Sequence, residues 1–204
     1  RFLTLVSSFR EQKKPNGKQK GRRKMSESMQ GISIELIGYP SEKDWEEVKR
    51  RALITCWKDA KTPPGSDWKS RILNARHSPI RHLMYSFKIT GIPSNISTHF
   101  ARHKHAEPYV GSLRNDRQSF MNGDSAPRNT PVNMILDVNG EEIMVMANKR
   151  LCMQASETTR KCMEVMCALV VGVTPEYAGK LVPLCEYCNG VCHEMKPCGR
   201  YPYA

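Results

Sequence analysis

Between Ser97 and Arg114 the chain sets Arg102, His103, Lys104 and His105 in consecutive positions. Four successive helical residues point all round the axis, so an amphipathic surface has no use for such a block. At least two of the four must face protein or ligand rather than water. Ser112 follows Lys104 after seven intervening residues, and Arg114 stands two positions further on. Cationic side chains, a small hydroxyl and a second arginine suit a ligand that carries phosphate and a flat polar ring. A guanidinium matches phosphate oxygens with its planar fork, and an imidazole can donate to a ring carbonyl. The plainer reading is a solvated basic turn.

A chain of 204 residues has room for one domain with a real core, or one domain and a small appendage. No window is apolar for long enough to span a membrane, and a cytoplasmic protein is expected. The net charge of +12 invites a nucleic-acid reading, but residues 1–24 alone carry +8, which leaves the body mildly basic. That leader is rich in Lys, Gln and Gly and lacks periodicity beyond Phe2 to Val6, so it reads as disordered and outside the fold. Upstream translated sequence, a basic targeting arm and a nucleic-acid tail compete for it. The first is preferred, because Met25 opens a stretch that resembles a natural start. The leader is not expected to be a secretory signal, since its apolar run is short and no small-residue cleavage site follows it.

Alternation and β-branching predict a strand over 31–37, and a second strand over 82–90 carries Leu83, Tyr85, Phe87 and Ile89 on one face. Ser41 and Asp44 resemble a capping box ahead of a helix that runs to about Trp57. Thr62 to Gly65 breaks that helix, and another starts from a Ser66 cap. Ser94 is expected to cap a helix that carries Ile96, Phe100 and the basic cluster, with 107–130 a long loop. Asn133 to Val138 reads as a strand, and Asn139 as the cap of one long helix from Glu141 to about Val171, its Met144, Met146, Met153, Met163 and Met166 filling core. Thr174 to Glu176 starts one more turn. Strands and helices mix without a repeating βαβ unit, so the class is α+β, with a central, mostly antiparallel sheet flanked by helices. Cys56, Cys152, Cys162 and Cys167 fall within helical patterns as small buried hydrophobes, whereas Cys185, Cys188, Cys192 and Cys198 crowd a C-terminal tail over 183–204. With no signal peptide, an intracellular metal site or free thiols suit the tail better than disulfides.

Arg102-His103-Lys104, seven residues, then Ser112 resembles the signature of flavin-dependent thymidylate synthases, which carry Arg-His-Arg, seven residues and Ser. His77 to His82 ahead of the second strand, Ser112-Leu113-Arg114, and Asn148-Lys149-Arg150 are similar to the segments that surround that signature. The resemblance covers roughly residues 70–165. It implies a domain over 25–182 and a homotetramer with FAD at subunit interfaces. It also implies reductive methylation of dUMP, with methylenetetrahydrofolate as carbon donor and NADPH as reductant. Residue by residue, it implies flavin contacts for Ser78, Arg102, His103, Lys104, Asn148, Arg150 and Gln154. It implies nucleotide contacts for His99, Arg102, Ser112, Arg114 and Arg160, with Ser112 and Arg160 nearest the chemistry. Arg160 lies one residue off the family spacing. Lys104 replaces the second signature arginine and loses its bidentate fork. Arg81 stands where many members carry Glu, and Val110 where an acidic residue is common. The chemistry requires no nucleophilic cysteine.

Two rival readings use other residues. His105-Ala106-Glu107 with Pro183-Leu184-Cys185-Glu186-Tyr187-Cys188 is similar to the zinc-deaminase pattern His-x-Glu and Pro-Cys-x-x-Cys, although Leu184 is an insertion in it. The four tail cysteines could instead hold a structural zinc in a nucleic-acid-binding module. Aromatics that would stack bases are few and do not interleave with the leader's charge, so nucleic acid is not the expected partner. His77 and His82 read as capping or backbone-orienting residues rather than metal ligands.

Overall fold

The computed structural model describes residues 25–29 and 31–204; the expectations for residues 1–24 lie outside them. Five strands form one antiparallel sheet in the order β1 (Met25–Met29), β2 (Ile32–Gly38), β3 (Met84–Pro93), β5 (Pro131–Asn139) and β4 (Ala106–Val110). The registers explain why alternation was informative. Ile34 pairs Ile89, which pairs Met134; Leu36 pairs Phe87, which pairs Leu136. These rows share one face, and all six side chains are buried.

Helices cover that face. The helix α1 (Glu42–Ile54) opens on the predicted capping box, where the Ser41 N–H donates to Asp44 Oδ2 at 2.7 Å. It stops three residues short of Trp57, which takes a left-handed φ of 55° and lies exposed. The helix α2 (Ser66–Asn74) buries Ile72 and Leu73; Gly65, not Ser66, occupies its N-cap. After the 3-10 turn Ser78–His82 and β3 comes α3 (Ser94–Ala101), with Pro93 rather than Ser94 at the N-cap. Then follow β4 and β5, α4 (Glu142–Arg150), α5 (Glu157–Val173), a 3-10 turn over Pro175–Tyr177 and the single turn α6 (Leu184–Tyr187).

Four further expectations are corrected. The basic cluster lies beyond α3, because Arg102 is already the C-cap. The loop expected over 107–130 begins later, since Ala106–Val110 pairs with β5 as an edge strand despite Pro108. Edge position tolerates a residue that lacks an N–H. The long helix is two: α4 ends at Arg150, and Ser156 starts α5 by accepting the Thr159 N–H at 3.3 Å. Apolar spacing that continues across a break hides the break, whereas a capping serine reveals it. Finally, Cys56 is exposed in the turn after α1, Cys152 is half-buried and Met153 is exposed in the connection between α4 and α5; Cys162 and Cys167 are core, as expected.

One close approach fixes the junction ahead of α4. A Cβ on Gly140 would stand 2.6 Å from both the Ile80 carbonyl oxygen and Tyr177 Oη. The Tyr177 hydroxyl donates to the Gly140 carbonyl at 2.8 Å, while Asn139 Oδ1 accepts the N–H groups of Glu141 and Glu142 at 3.0 and 2.9 Å. This junction delivers Glu142, and with it the candidate site, to the end of α3.

Candidate functional site

Two helix C-termini meet at the site. Arg102 caps α3 and Arg150 is the last residue of α4, positions where a cation is favoured by the exposed carbonyls and the helix dipole. Between them sits His103, whose side chain is 7% exposed. Arg150 Nε donates to His103 Nε2 at 2.9 Å. An arginine only donates, so Nε2 accepts and the imidazole is the neutral Nδ1–H tautomer, donating to Glu142 Oε1 at 3.0 Å. The Glu142 side chain is 5% exposed, and its position on the first turn of α4 is held by the Asn139 cap. Burial, then the Arg150 charge, lowers the His103 pKa; Glu142 acts in the opposite sense. Burial, then the Arg102 charge, likewise lowers that of Arg150.

His99 belongs to the same cluster. Its Nδ1 is 2.7 Å from Thr159 Oγ1, which lies 2.7 Å from Ser156 Oγ on the first turn of α5. Burial, Arg150 and Arg102, in that order, lower its pKa. Four sequence-predicted residues, His99, Arg102, His103 and Arg150, are therefore brought together. Two arginines lie near one another with no carboxylate joining them among the described residues; the only acid in contact with the cluster, Glu142, is spent on His103. Such an arrangement repels itself until an anion enters, and it fits a phosphate or pyrophosphate.

The other predicted residues are placed as follows. Beside Arg150 an open depression of about 280 Å³ is lined by Lys149, Cys152, Gln154, Ala155 and Glu194. Lys149 pairs with Glu194 at 2.8 Å, and the Gln154 amide donates to the Lys196 carbonyl at 3.0 Å. Asn148 is buried, accepting from Arg76 at 2.9 Å and donating to the Val182 carbonyl at 2.7 Å. Arg160 donates to the Ala155 carbonyl at 3.3 Å. Ser78 and Lys104 are exposed. Ser112 and Arg114 lie past β4: Ser112 Oγ accepts the Arg114 N–H at 3.2 Å, and Arg114 forms a two-pronged pair with Asp116 at 2.9 and 3.0 Å. Among the described residues no hydrogen bond or ion pair joins Ser112 or Arg114 to the histidine–arginine cluster. Arg81, which departs from the family pattern, pairs with Glu141.

Sequence reasoning missed Glu142 and Thr159 as partners of the two histidines. They lie 39 and 60 residues away from them, and no local spacing could announce the pairs. The deaminase-like set is not assembled, and neither is a zinc set among the tail cysteines: among the described residues no three His, Cys, Asp or Glu side chains stand where they could hold a metal ion. Among those residues, too, no helix is long and apolar enough to cross a membrane.

Fold and cluster together define an α+β domain, a five-stranded antiparallel sheet under helices, with a cluster of two arginines and two histidines whose charge suits an anionic ligand. Among solved structures the chain is similar to thymidylate synthase X (ThyX) from Helicobacter pylori, determined with FAD and dUMP. The match has a TM-score of 0.56 and 14% sequence identity, and covers 71% of this chain and 94% of that one. At that identity the likeness is one of fold. No protein-family model matches the chain, and no curated protein matches it in sequence.

Proposed function

We propose that this chain binds FAD and dUMP and carries out the reductive methylation of dUMP to dTMP, taking carbon from methylenetetrahydrofolate and reducing equivalents from NADPH. One observation carries the reading. The signature residues Arg102 and His103 gather beside Arg150, His103 by a hydrogen bond and Arg102 by its nearby charge, on a fold similar to that of a thymidylate synthase determined with FAD and dUMP. The donor set fits FAD, because two arginines without a bridging acid suit its pyrophosphate. FAD would supply the hydride that completes the methyl group.

The chain's own side chains divide the binding work. Arg102 and Arg150 hold phosphate oxygens. His103, with both ring nitrogens engaged, positions Arg150 rather than donating to the flavin ring. His99 keeps Nε2 for the nucleotide while Thr159 fixes its ring. Gln154, Lys104 and Ser78 complete the flavin side and Arg160 faces the uracil, whereas Asn148, buried with its amide held by Arg76 and the Val182 carbonyl, braces α4 from behind rather than touching flavin. Ser112 and Arg114, which no hydrogen bond or ion pair among the described residues joins to the cluster, are presented to the site of a neighbouring subunit in a homotetramer.

The test is an absorption spectrum of the purified protein supplied with FAD, followed by addition of dUMP. A retained flavin band that changes shape on dUMP addition supports the reading. Failure to take up FAD overturns it. Arg102→Ala is expected to weaken FAD binding by about ten- to a hundredfold, the loss of one or two charge-assisted hydrogen bonds. Ser112→Ala is expected to weaken dUMP binding and leave FAD in place; equal loss of both ligands would mean the site is wrongly drawn.

A further inference from the structure

The C-terminal tail is compact with little buried apolar surface to account for it. Over residues 183–204 only Pro183 and Cys192 are buried, and α6 buries no side chain. The backbone is nevertheless folded: the Cys192 N–H donates to the Pro202 carbonyl at 2.8 Å, and the Ala204 N–H to the Cys192 carbonyl at 3.0 Å. Small units without a core are ordinarily fastened by a metal or by disulfides. A metal is not the fastener, because among the described residues no three ligating side chains stand where they could hold one. A disulfide needs only two sulfurs.

Two cysteine-bearing segments are held side by side here. The helix α6 packs against α4. Asn148, on α4, donates to the Val182 carbonyl at 2.7 Å just ahead of α6. Arg76 braces the same junction: it donates to Asn148 Oδ1 at 2.9 Å, and its guanidinium lies 3.9 Å over the Tyr187 ring of α6. Lys149 with Glu194, and Gln154 with the Lys196 carbonyl, tie the tail to the chain on either side of Cys152. Between these anchors Cys152 and Cys185 line one small cavity of about 10 Å³. A cysteine has one torsion between backbone and sulfur, so each sulfur can turn into that space without refolding. The Cys152 charge reaches Cys185: burial foremost, and then Cys152, raise the Cys185 pKa, while Arg200 acts to lower it. Both thiols are half-buried and open to a small oxidant, whereas Cys192, on the same lining, is buried, Cys198 is exposed and Cys188 is off the lining.

We propose that Cys152 and Cys185 are a redox-active dithiol that closes to a disulfide and so fastens the tail to the connection between α4 and α5. The oxidant is a small disulfide of the glutathione class. One protein thiolate attacks a sulfur of that disulfide, whose S–S bond breaks, and one glutathione leaves as its thiolate. The second protein thiolate attacks the protein sulfur of the mixed disulfide and expels the other glutathione. Two protein thiols lose two electrons and two protons, and the oxidant gains them as two glutathione thiols. Thiolates are the attacking species, so closure quickens as the pH rises from about 7 to about 8.5, and an excess of reduced thiol opens the bond again. The pair is independent of the flavin reading; either can fail alone.

The test uses the full chain, reduced with dithiothreitol, freed of it and then exposed to glutathione disulfide. The expected product is about two mass units lighter, the two hydrogens lost in closure. It yields a peptide cross-linked through Cys152 and Cys185 on mapping, and dithiothreitol restores the starting mass. Cys152→Ser and Cys185→Ser should each keep one glutathione on the remaining thiol, since no partner is left to expel it. Cys188→Ser and Cys198→Ser should close as the parent does. Because a cysteine variant can misfold, mapping of the parent protein decides by itself. No reaction, a lasting glutathione adduct without closure, or a bond that joins any other pair overturns the proposal. Fastening has its own readout: chymotrypsin cleavage after the exposed Tyr187 should slow by about tenfold or more on oxidation. A cleavage rate unchanged by oxidation overturns the fastening.

Discussion

Glu142 touches no ligand in the proposed chemistry, yet the geometry of the cluster turns on it. Its carboxylate fixes the Nδ1–H tautomer of His103, and that tautomer is what lets Nε2 accept from Arg150. Glu142→Gln keeps the shape but can turn its amide donor toward Nδ1, which forces the proton to Nε2 and faces it against the Arg150 N–H. The expected outcome is a loss of about 1–3 kcal/mol of stability, read from the urea midpoint, with weaker FAD binding. Glu142→Ala with unchanged stability and unchanged FAD affinity would show that the contact carries neither role. The basic block itself stood out in sequence, but the helical argument for it did not hold: the block lies beyond α3, Arg102, Lys104 and His105 are exposed, and only His103 is turned inward. The partner acid did not stand out, since it comes from the far side of β5. The sequence also leads one to expect His103 as a donor to a ligand; the fold uses both of its nitrogens internally.

At the scale of elements, alternation located β2, β3 and β5 because each presents one face to helices, so period two survives in the residues. It failed for β4, a short edge strand with Glu107 and Pro108 inside it, where pairing with β5 rather than hydrophobic pattern sets the conformation. The same preference for apolar spacing over caps merged α4 with α5. Ser156 was the available signal, and it has two tasks: it caps α5 and it bonds the Thr159 hydroxyl that meets His99. Ser156→Ala should cost about 1 kcal/mol in a denaturation experiment. It should also weaken dUMP binding more than Ser156→Asp, which restores a capping oxygen. Equal nucleotide affinity in the two variants would separate the cap from the site. A harsher outcome is expected at the junction ahead of α4. Gly140→Ala puts a methyl against the Ile80 carbonyl and the Tyr177 hydroxyl, so a cost of about 2 kcal/mol or more is expected in the same measurement. A neutral result would mean that the packing of α4 on the 3-10 turn is looser than drawn.

For the whole molecule, the two buried-cluster histidines connect the site to global stability. Both His99 and His103 have pKa values lowered from 6.5, with burial the first cause in each case. The folded chain therefore holds fewer protons than the unfolded one wherever the pH lies between the folded and unfolded values. The sign follows directly: their contribution is complete above about pH 6.5 and is lost as the pH falls toward the depressed folded values. Asp44, whose carboxylate accepts from Ser41 in the α1 capping box, adds a second loss at lower pH, as the pH falls through 3.8 toward its own lowered value. Stability from urea titrations is expected to be level from pH 8 to 7, to decline as the pH falls below about 6.5, and to drop again as it falls below about 3.8. A chain with His99→Gln and His103→Gln should be less stable at pH 7.5, having lost the imidazole contacts to Thr159, Glu142 and Arg150, but should show a flatter slope just below pH 6.5. An unchanged slope in the double variant would place the titrating groups elsewhere. Phosphate gives an independent check, because an anion drawn to Arg102 and Arg150 relieves their repulsion. It should raise the urea midpoint of the parent protein and do so less in Arg102→Ala, with chloride at matched ionic strength as the control.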